Sequence, residues 1–517
     1  MSGPAEGGFV EVRHRGLITV SIMAAMIMQV LDMTIANVAL PHMQTSLGAA
    51  QDTITWVLTS YIVAAAIATP ITGWLSDNFG RKRVFMVAVA GFVVSSALCG
   101  TAFSLEEMVV FRVAQGAFGA ALAPLSQAVL MDINPRERQG QAMAMWGAGI
   151  MIAPIIGPTL GAWLTENFNW RWVFYINVPV GAAALAGIFL FMPDTKRRLR
   201  KFDFFGFAML SLAVGAFQLM LDRGEGQDWF HSPEILVETG LAIAAAWVFI
   251  VHTATAREPF LEATLFRDRN FAASLVLIFI VGIILLATMA LLPPMLQTLF
   301  GYPVVTVGLV LAPRGIGTMI SMLVVGRLVR LVDPRLLVLT GLLLAAFSLW
   351  LMTGFSPEMD DWPLIVSGVI QGLGIGLVFI PLSTVAFSTL DLRLRTEAAS
   401  LFNLVRNLGS SIGISVMAAM LSSNLQTNHA SLAAGITPFT RNLAAAGIDP
   451  ALLARPEGQQ MAAVVDGLIN QQALMIAYVD DFRLMFFITL CAAPFLLLLR
   501  YRPAPRGVPA APVVHAD

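Results

Sequence analysis

Runs of about twenty apolar residues recur along almost the whole chain, and no other feature limits the fold so strongly. Inside a bilayer each unpaired backbone amide costs several kcal/mol, so each run must close its hydrogen bonds within a helix. The runs fall near 17–40, 54–75, 84–102, 106–131, 141–163, 172–192, 204–222, 234–253, 271–292, 304–326, 335–355, 363–387, 398–420 and 482–499. The expectation is an all-α membrane protein with fourteen transmembrane helices. Composition agrees, with 57% hydrophobic and 12% charged residues against about 25% charged in soluble domains. The first run is longer than the apolar core of a leader peptide and contains Asp32 and Asn37, so it reads as a retained span. Cys99 and Cys491 lie far apart in apolar runs and read as small buried side chains, not as a disulfide.

The cations orient this ladder of spans. With the N-terminus inside, 23 of the 31 Lys and Arg residues fall in inner segments and only Arg171, Arg223, Arg441 and Arg455 in outer ones. That asymmetry puts both termini in the cytoplasm. Residues 461–479 are fairly apolar, but Asp466 and Asn470-Gln471-Gln472 argue against a further span. They read as an outer amphipathic helix leading into the last span, within a long outer loop, 421–481.

The spans repeat. Gln115-Gly116 with Pro124-Leu125-Ser126 in span four matches Gln371-Gly372 with Pro381-Leu382-Ser383 in span twelve. GWLSDNFGRKR (73–83) has a degenerate echo in GRLVRLVDPR (326–335). Two six-helix halves follow, with spans seven and eight inserted between them. The expected organisation is a cytoplasmic N-terminus (1–16), a first half (17–192), an insertion (193–270), a second half (271–499) and a cytoplasmic tail (500–517). Parallel halves with a site between them are typical of secondary transporters.

Two segments carry more than packing. In 73–83, Gly73 permits close helix approach, Asp77 can pair, and Gly80 permits a tight turn before Arg81, Lys82 and Arg83. This loop resembles the signature of the major facilitator superfamily, where it implies a charge latch that closes the cytoplasmic side. In span five, Gly149, Ala153, Gly157 and Gly161 make a small-residue stripe, and Pro154 and Pro158 remove amide donors. That pattern resembles the antiporter motif of drug/proton exchangers. VLDMTIANVALP (30–41), WRWVFYINVPVG (170–181) and LDRGEGQDWF (221–230) extend the likeness to the fourteen-span drug/proton antiporters of the EmrB type. The resemblance covers nearly the whole chain and implies the major facilitator fold, with proton-coupled multidrug efflux as its activity.

Other chemistries find little support. The dipeptide Gly-Lys is absent, so there is no P-loop. GSSIG (409–413) fits a hydrolase nucleophile pattern, but it lies in an apolar span without a preceding strand and reads as packing. His42, His231 and His429 lack metal-ligand spacing. No cofactor is expected beyond protons as the coupling ion, and nucleic acid is not an expected partner.

The charges within spans are therefore the candidate site. Asp32 lies about 12 Å in from residue 40, and Arg112 about 9 Å in from residue 106, at 1.5 Å per residue. A buried pair is the natural way to tolerate both, either as a fixed strut or as the proton-coupling carboxylate with its cation. Arg314 and Arg406 stand inside second-half spans, with no acid expected in any second-half span interior. Asn37, Gln115, Arg314, Gln371, Asn403 and Arg406 are candidate lining of a substrate cavity, and Asn407 and Gln297 are further partners for the arginines. The resemblance implies lipophilic small molecules as substrates in an inner-membrane setting, and a periplasmic adaptor protein joined to an outer-membrane channel as partners. Export of a single metabolite or siderophore, or a receptor that does not transport, remain as alternatives.

Overall fold

The computed structural model describes residues 12–435, apart from 51–52, 196, 198, 330 and 392–393, and residues 458–500. Thirteen helices are long and apolar enough to cross a membrane, and a bent pair, Trp56–Ala68 with Ile71–Phe79 at 56°, completes fourteen. All regular structure among the described residues is helical. The spans keep their expected order, but several extend further or break. Span one runs Arg15–Leu47 and stops at Gly48, whose φ of 62° closes the helix in the left-handed region. Span four is Leu105–Gly119 followed by Leu122–Asp132. Span five is Arg136–Ile150 followed by Ile152–Asn167. Its break at Met151 leaves Pro154 in the first turn of the second piece, where a missing amide costs least. Only Pro158 lies inside that helix.

Side-chain caps start several spans. Ser104 accepts from the Glu107 amide at span four, Asp203 from Gly206 at span seven (Phe204–Arg223), and Asp268 from Phe271 at span nine (Arg269–Leu299).

The halves repeat in packing as well as in sequence. Span two packs on span four, and span ten (Val304–Leu328) packs on span twelve (Asp361–Ser388). A Cβ at Gly116 would meet the Tyr61 carbonyl at 2.4 Å, and one at Gly372 would meet the Arg314 carbonyl at 2.2 Å. Likewise span five closes on span one through Gly157 and Gly161, opposite Thr34 and Ile35. Span thirteen (Arg395–Ala434) closes on span nine through Gly409 and Gly413, opposite Phe279 and Ile283. GSSIG is therefore the second-half counterpart of the span-five glycine stripe, a helix contact that only hydrogen side chains permit.

The inserted span seven bridges the halves: Asp222 accepts a hydrogen bond from Thr59 of span two, and the Leu221 carbonyl accepts one from Ser415 of span thirteen at 2.5 Å. Span eight (Pro233–Thr255) presents Leu236, Val237, Ile243, Trp247 and Ile250 outward, as a lipid-facing helix should.

Three expectations change. The region 421–481 is more helical than a loop with one outer helix at 461–479: span thirteen stays helical to Ala434, and Gly458–Ala492 carries 461–479 without a break into the last span. Residues 436–457 lie outside the described residues. Cys491 is exposed, unlike the buried Cys99, because it lies on the outward face of span fourteen. The third change is an acid, Asp481, buried in that same helix. The sequence reading ends the outer loop at 481, because the polar run before it masks how early the helix begins.

Candidate functional site

Asp32 is fully buried, and three donors from two other spans converge on it. Arg112 Nη1 lies 2.7 Å from Oδ2; Gln115 Nε2 and Asn177 Nδ2 lie 2.8 and 2.7 Å from Oδ1. Each neighbour is itself held. Arg112 donates through Nε to the Val57 carbonyl at 2.9 Å and through Nη1 to Gln115 Oε1 at 2.8 Å. Its guanidinium lies over the Tyr61 ring at 4.5 Å and the Phe174 ring at 5.7 Å. Asn177 donates its second proton to Ser96 Oγ at 2.9 Å.

This is a satisfied network, the condition under which a buried ion pair can exist at all. Three donors around one carboxyl group suit a carboxylate, which can only accept. Asn177 and Ser96 escaped the sequence reading. Asn177 sits in the quoted segment 170–181, but nothing in its spacing shows which way a single polar residue near a span's start will face.

Charge gathers a second time at the basic end of the bundle, where 73–83 lies. Gly80 has φ 87°, so this turn needs glycine. A Cβ on Gly73 would come within 3.1 Å of Glu397 Cα, which places the short helix Ile71–Phe79 directly on the start of span thirteen, in the other half. Arg81 pairs with Asp132, whose other oxygen lies 3.5 Å from Arg395 Nη1 of the second half. Arg200 Nη1 binds Glu397 at 2.8 Å, while its Nη2 reaches the Pro259 carbonyl at 2.8 Å. Asp77 acts electrostatically on Arg81. Lys82 faces Phe189 at 5.8 Å, and Arg83 is exposed.

Further contacts between the halves lie along the same end. Asn403 Nδ2 donates to Gln127 Oε1 at 2.9 Å, Trp146 stacks on Phe379 at 6.3 Å, and Gly326 meets Ala144. The halves are shut there. Asp132, Arg200, Arg395 and Glu397 were missing from the expected latch because they come from three separate segments that only the folded bundle brings together.

The remaining expected cavity residues divide. Met33 is 39% exposed, and Asn37, one turn on, is also exposed. Gln115 belongs to the Asp32 network and Asn403 to the contact between halves. Arg314 is buried and donates to Thr288 Oγ1 at 2.9 Å and the Leu285 carbonyl at 3.2 Å, not to Gln371 or Gln297. Arg406 meets Asn407 Oδ1 at 3.3 Å and lies 6.0 Å from the Phe379 ring. Both amide atoms of Gln371 are buried without a partner among the described residues. No cluster able to hold a metal occurs among those residues.

The family model described as Major Facilitator Superfamily matches residues 22–414. The chain belongs to the major facilitator superfamily. Within the superfamily it is 37% identical over 426 residues to the multidrug export protein EmrB of Haemophilus influenzae, covering 82% of this chain and 84% of that one. It is 35% identical to EmrB of Escherichia coli K12 across 93% of this chain and 94% of the relative. It is also 36% identical to the fatty acid resistance protein FarB of Neisseria gonorrhoeae across 89% and 91%. Solved structures share the fold. The human organic anion transporter MFSD10 aligns with TM-score 0.58 at 15% identity, over 92% of this chain and all of that one. The proton:xylose symporter XylE aligns with TM-score 0.59 at 14% identity, over 94% and 95%. The expected major facilitator fold, two six-helix halves with two inserted spans, is the fold observed, and the protein is a multipass membrane transporter and not an enzyme.

Proposed function

We propose that this superfamily member exports lipophilic small molecules across the inner membrane in exchange for protons, with Asp32 as the coupling carboxylate and Arg112 as its cation. The basic end with both termini is then cytoplasmic, and the two halves rock about a site between them. The observation that carries this reading is the buried carboxylate held by three donors from spans four and six. A proton added to Asp32 turns an acceptor into a donor that faces donors. The network must then rearrange, which moves spans one, four and six relative to one another. Loss of the proton restores the closed set of bonds. Proton binding and helix movement are thereby the same event.

Exposed Asn37 and Met33 beside it suit a cavity that offers one polar contact and an adaptable apolar surface. The names of the relatives, multidrug export and fatty acid resistance, fit lipophilic cargo. Arg314, paired with no acid among the described residues, favours a second reading in which the cargo is one apolar acid such as a metabolite or siderophore. A panel of cationic, neutral and anionic lipophilic compounds separates the two.

The partners proposed are a periplasmic adaptor and an outer-membrane channel. The extension that would meet the adaptor is helical. Gln471 Nε2 reaches the Leu299 carbonyl at 3.4 Å at the end of span nine, and the helix continues from there back to Gly458, about 20 Å further at 1.5 Å per residue. His429 of span thirteen meets Asp466 at 3.0 Å along this extension.

Asp32→Asn tests the coupling, since it keeps the size of the side chain but cannot ionise and replaces one acceptor oxygen by a donor. The variant is expected at normal levels in the membrane, without uphill export and without proton release on substrate addition. Full pH-driven export by Asp32→Asn would leave the pair a strut and move the proton site elsewhere.

A further inference from the structure

The second half holds a carboxylate that nothing above uses. Asp481 of span fourteen has no exposed surface, and neither of its oxygens has a partner among the described residues. It is packed among Ala477, Tyr478, Phe482 and Met485, all buried. From Gln471, level with the end of span nine, it lies ten residues or about 15 Å into the bundle.

The internal repeat explains its position. Gln371 stands where Gln115 stands in the first half, and Gly368 where Arg112 stands. Ile35 opposite Gly161 corresponds to Ile283 opposite Gly413, so Ile280 replaces Asp32. On the last span of each half, buried Asn177, Gly181, Ile188 and Met192 correspond to buried Asp481, Met485, Ala492 and Leu496 at one constant offset. Asp481 therefore takes the place of Asn177. The first half sets its acid on span one, with a cation and two amides around it. The second sets its acid on span fourteen with no cation bonded to it among the described residues, the nearby Arg483 being paired with Asp480, and the glutamine that would serve it is unpartnered there too.

An ionised carboxylate cannot persist in such surroundings, because an uncompensated charge away from water costs far more than a proton does. The charged or titratable groups that act on it are Asp480 and Tyr478, both on its own helix. Spans nine, eleven (Pro334–Met352) and thirteen, which pack against this helix, bring no cation into its field among the described residues.

We propose that Asp481 is a second proton-carrying carboxylate, neutral while the basic end is shut and ionised when the halves rock and water or a cationic cargo reaches it. The step is a single O–H cleavage: the carboxyl becomes a carboxylate, and the proton leaves to water on the side then open. Each transport cycle would carry one proton on each half. This rests on the export reading above, so the test has one arm that does not need transport.

In the first arm, infrared spectra of the purified full-length protein near pH 7 are compared. Wild type and Asp32→Asn should share a protonated-carboxyl band that Asp481→Asn lacks, and Asp481→Glu should restore one. Identical carboxyl bands in wild type and Asp481→Asn would overturn the proposal. In the second arm, the protein in liposomes moves ethidium against imposed proton gradients. The proton-to-ethidium ratio at balance should fall by about half in Asp481→Asn and recover in Asp481→Glu. An unchanged ratio in Asp481→Asn also overturns it. A wild type that moves no ethidium strikes the export reading, while the infrared bands still decide for or against Asp481.

Discussion

Replacing Arg112 by methionine removes the cation of the buried pair and keeps much of its apolar volume. Asp32 would then face Gln115 and Asn177 without a countercharge. Removing one partner of a buried pair costs about 3–5 kcal/mol. The lost face contact with Tyr61 adds about 0.5–2 kcal/mol, and the Val57 carbonyl left without its donor adds about 1–3 kcal/mol. Asp32→Asn alone strands the guanidinium instead, again at about 3–5 kcal/mol. The double variant, Asp32→Asn with Arg112→Met, strands no charge and should lose only the ring contact and the Val57 hydrogen bond. Its cost should therefore fall several kcal/mol short of the sum of the singles. Thermal unfolding of the four purified proteins in one detergent measures the cycle. Sites that do not interact add to within about 0.5 kcal/mol. If the double variant loses the sum of the two single losses, the pair seen here is not an energetic unit, and the coupling argument built on it fails.

Two further outcomes follow from the ends of the bundle. Asp77→Ala and Glu397→Gln should each loosen the shut basic end, since one removes a charge acting on Arg81 and the other the acid that Arg200 of the inserted segment holds on the second half; spin-label distances between the two halves at that end should lengthen, and unchanged distributions would leave 73–83 with a topological role only. Deleting residues 436–457 should reduce co-purification of the adaptor while leaving membrane levels intact, and full retention of the adaptor would remove the extension from its docking surface.

What the sequence disclosed, and what it hid, divides along physical lines. Spans are legible because the bilayer demands a long apolar helix at each crossing, a property local to about twenty residues. The Asp32–Arg112 pair was legible for a related reason. Two costly charges at matching depth have few other ways to exist, and the structure joins them at 2.7 Å. Asn177 and Ser96 were not legible, because polar residues of modest cost can face lipid headgroups, water or a partner equally well. The latch was half legible. Gly80 and the three cations after it announce a turn, but Asp132, Arg200, Arg395 and Glu397 meet only through the tertiary fold. Helix breaks at Met151 and between Gly119 and Leu122 likewise depend on how neighbouring spans close, which apolar periodicity does not report.

The repeat makes the difference between the halves informative. Duplicated halves inherit the same helix contacts, and the glycines that set them are kept: Gly116 with Gly372, Gly157 with Gly409, Gly161 with Gly413. The polar groups are not kept in place. Asp32 becomes Ile280, Arg112 becomes Gly368, and Asn177 becomes Asp481, while Gln115 alone persists as Gln371. A scaffold that needed only packing would have filled those positions with apolar residues, since a buried ion pair is no more stabilising than a well-packed hydrophobic cluster of similar volume. One half instead keeps a fully bonded pair and the other an acid with no partner among the described residues. The two sites differ in what a proton does there: one must break bonds to gain it, and the other gains solvation only by losing it. Set on spans one and fourteen, one in each half, they make the two halves unlike, which is what a motion with a preferred direction requires.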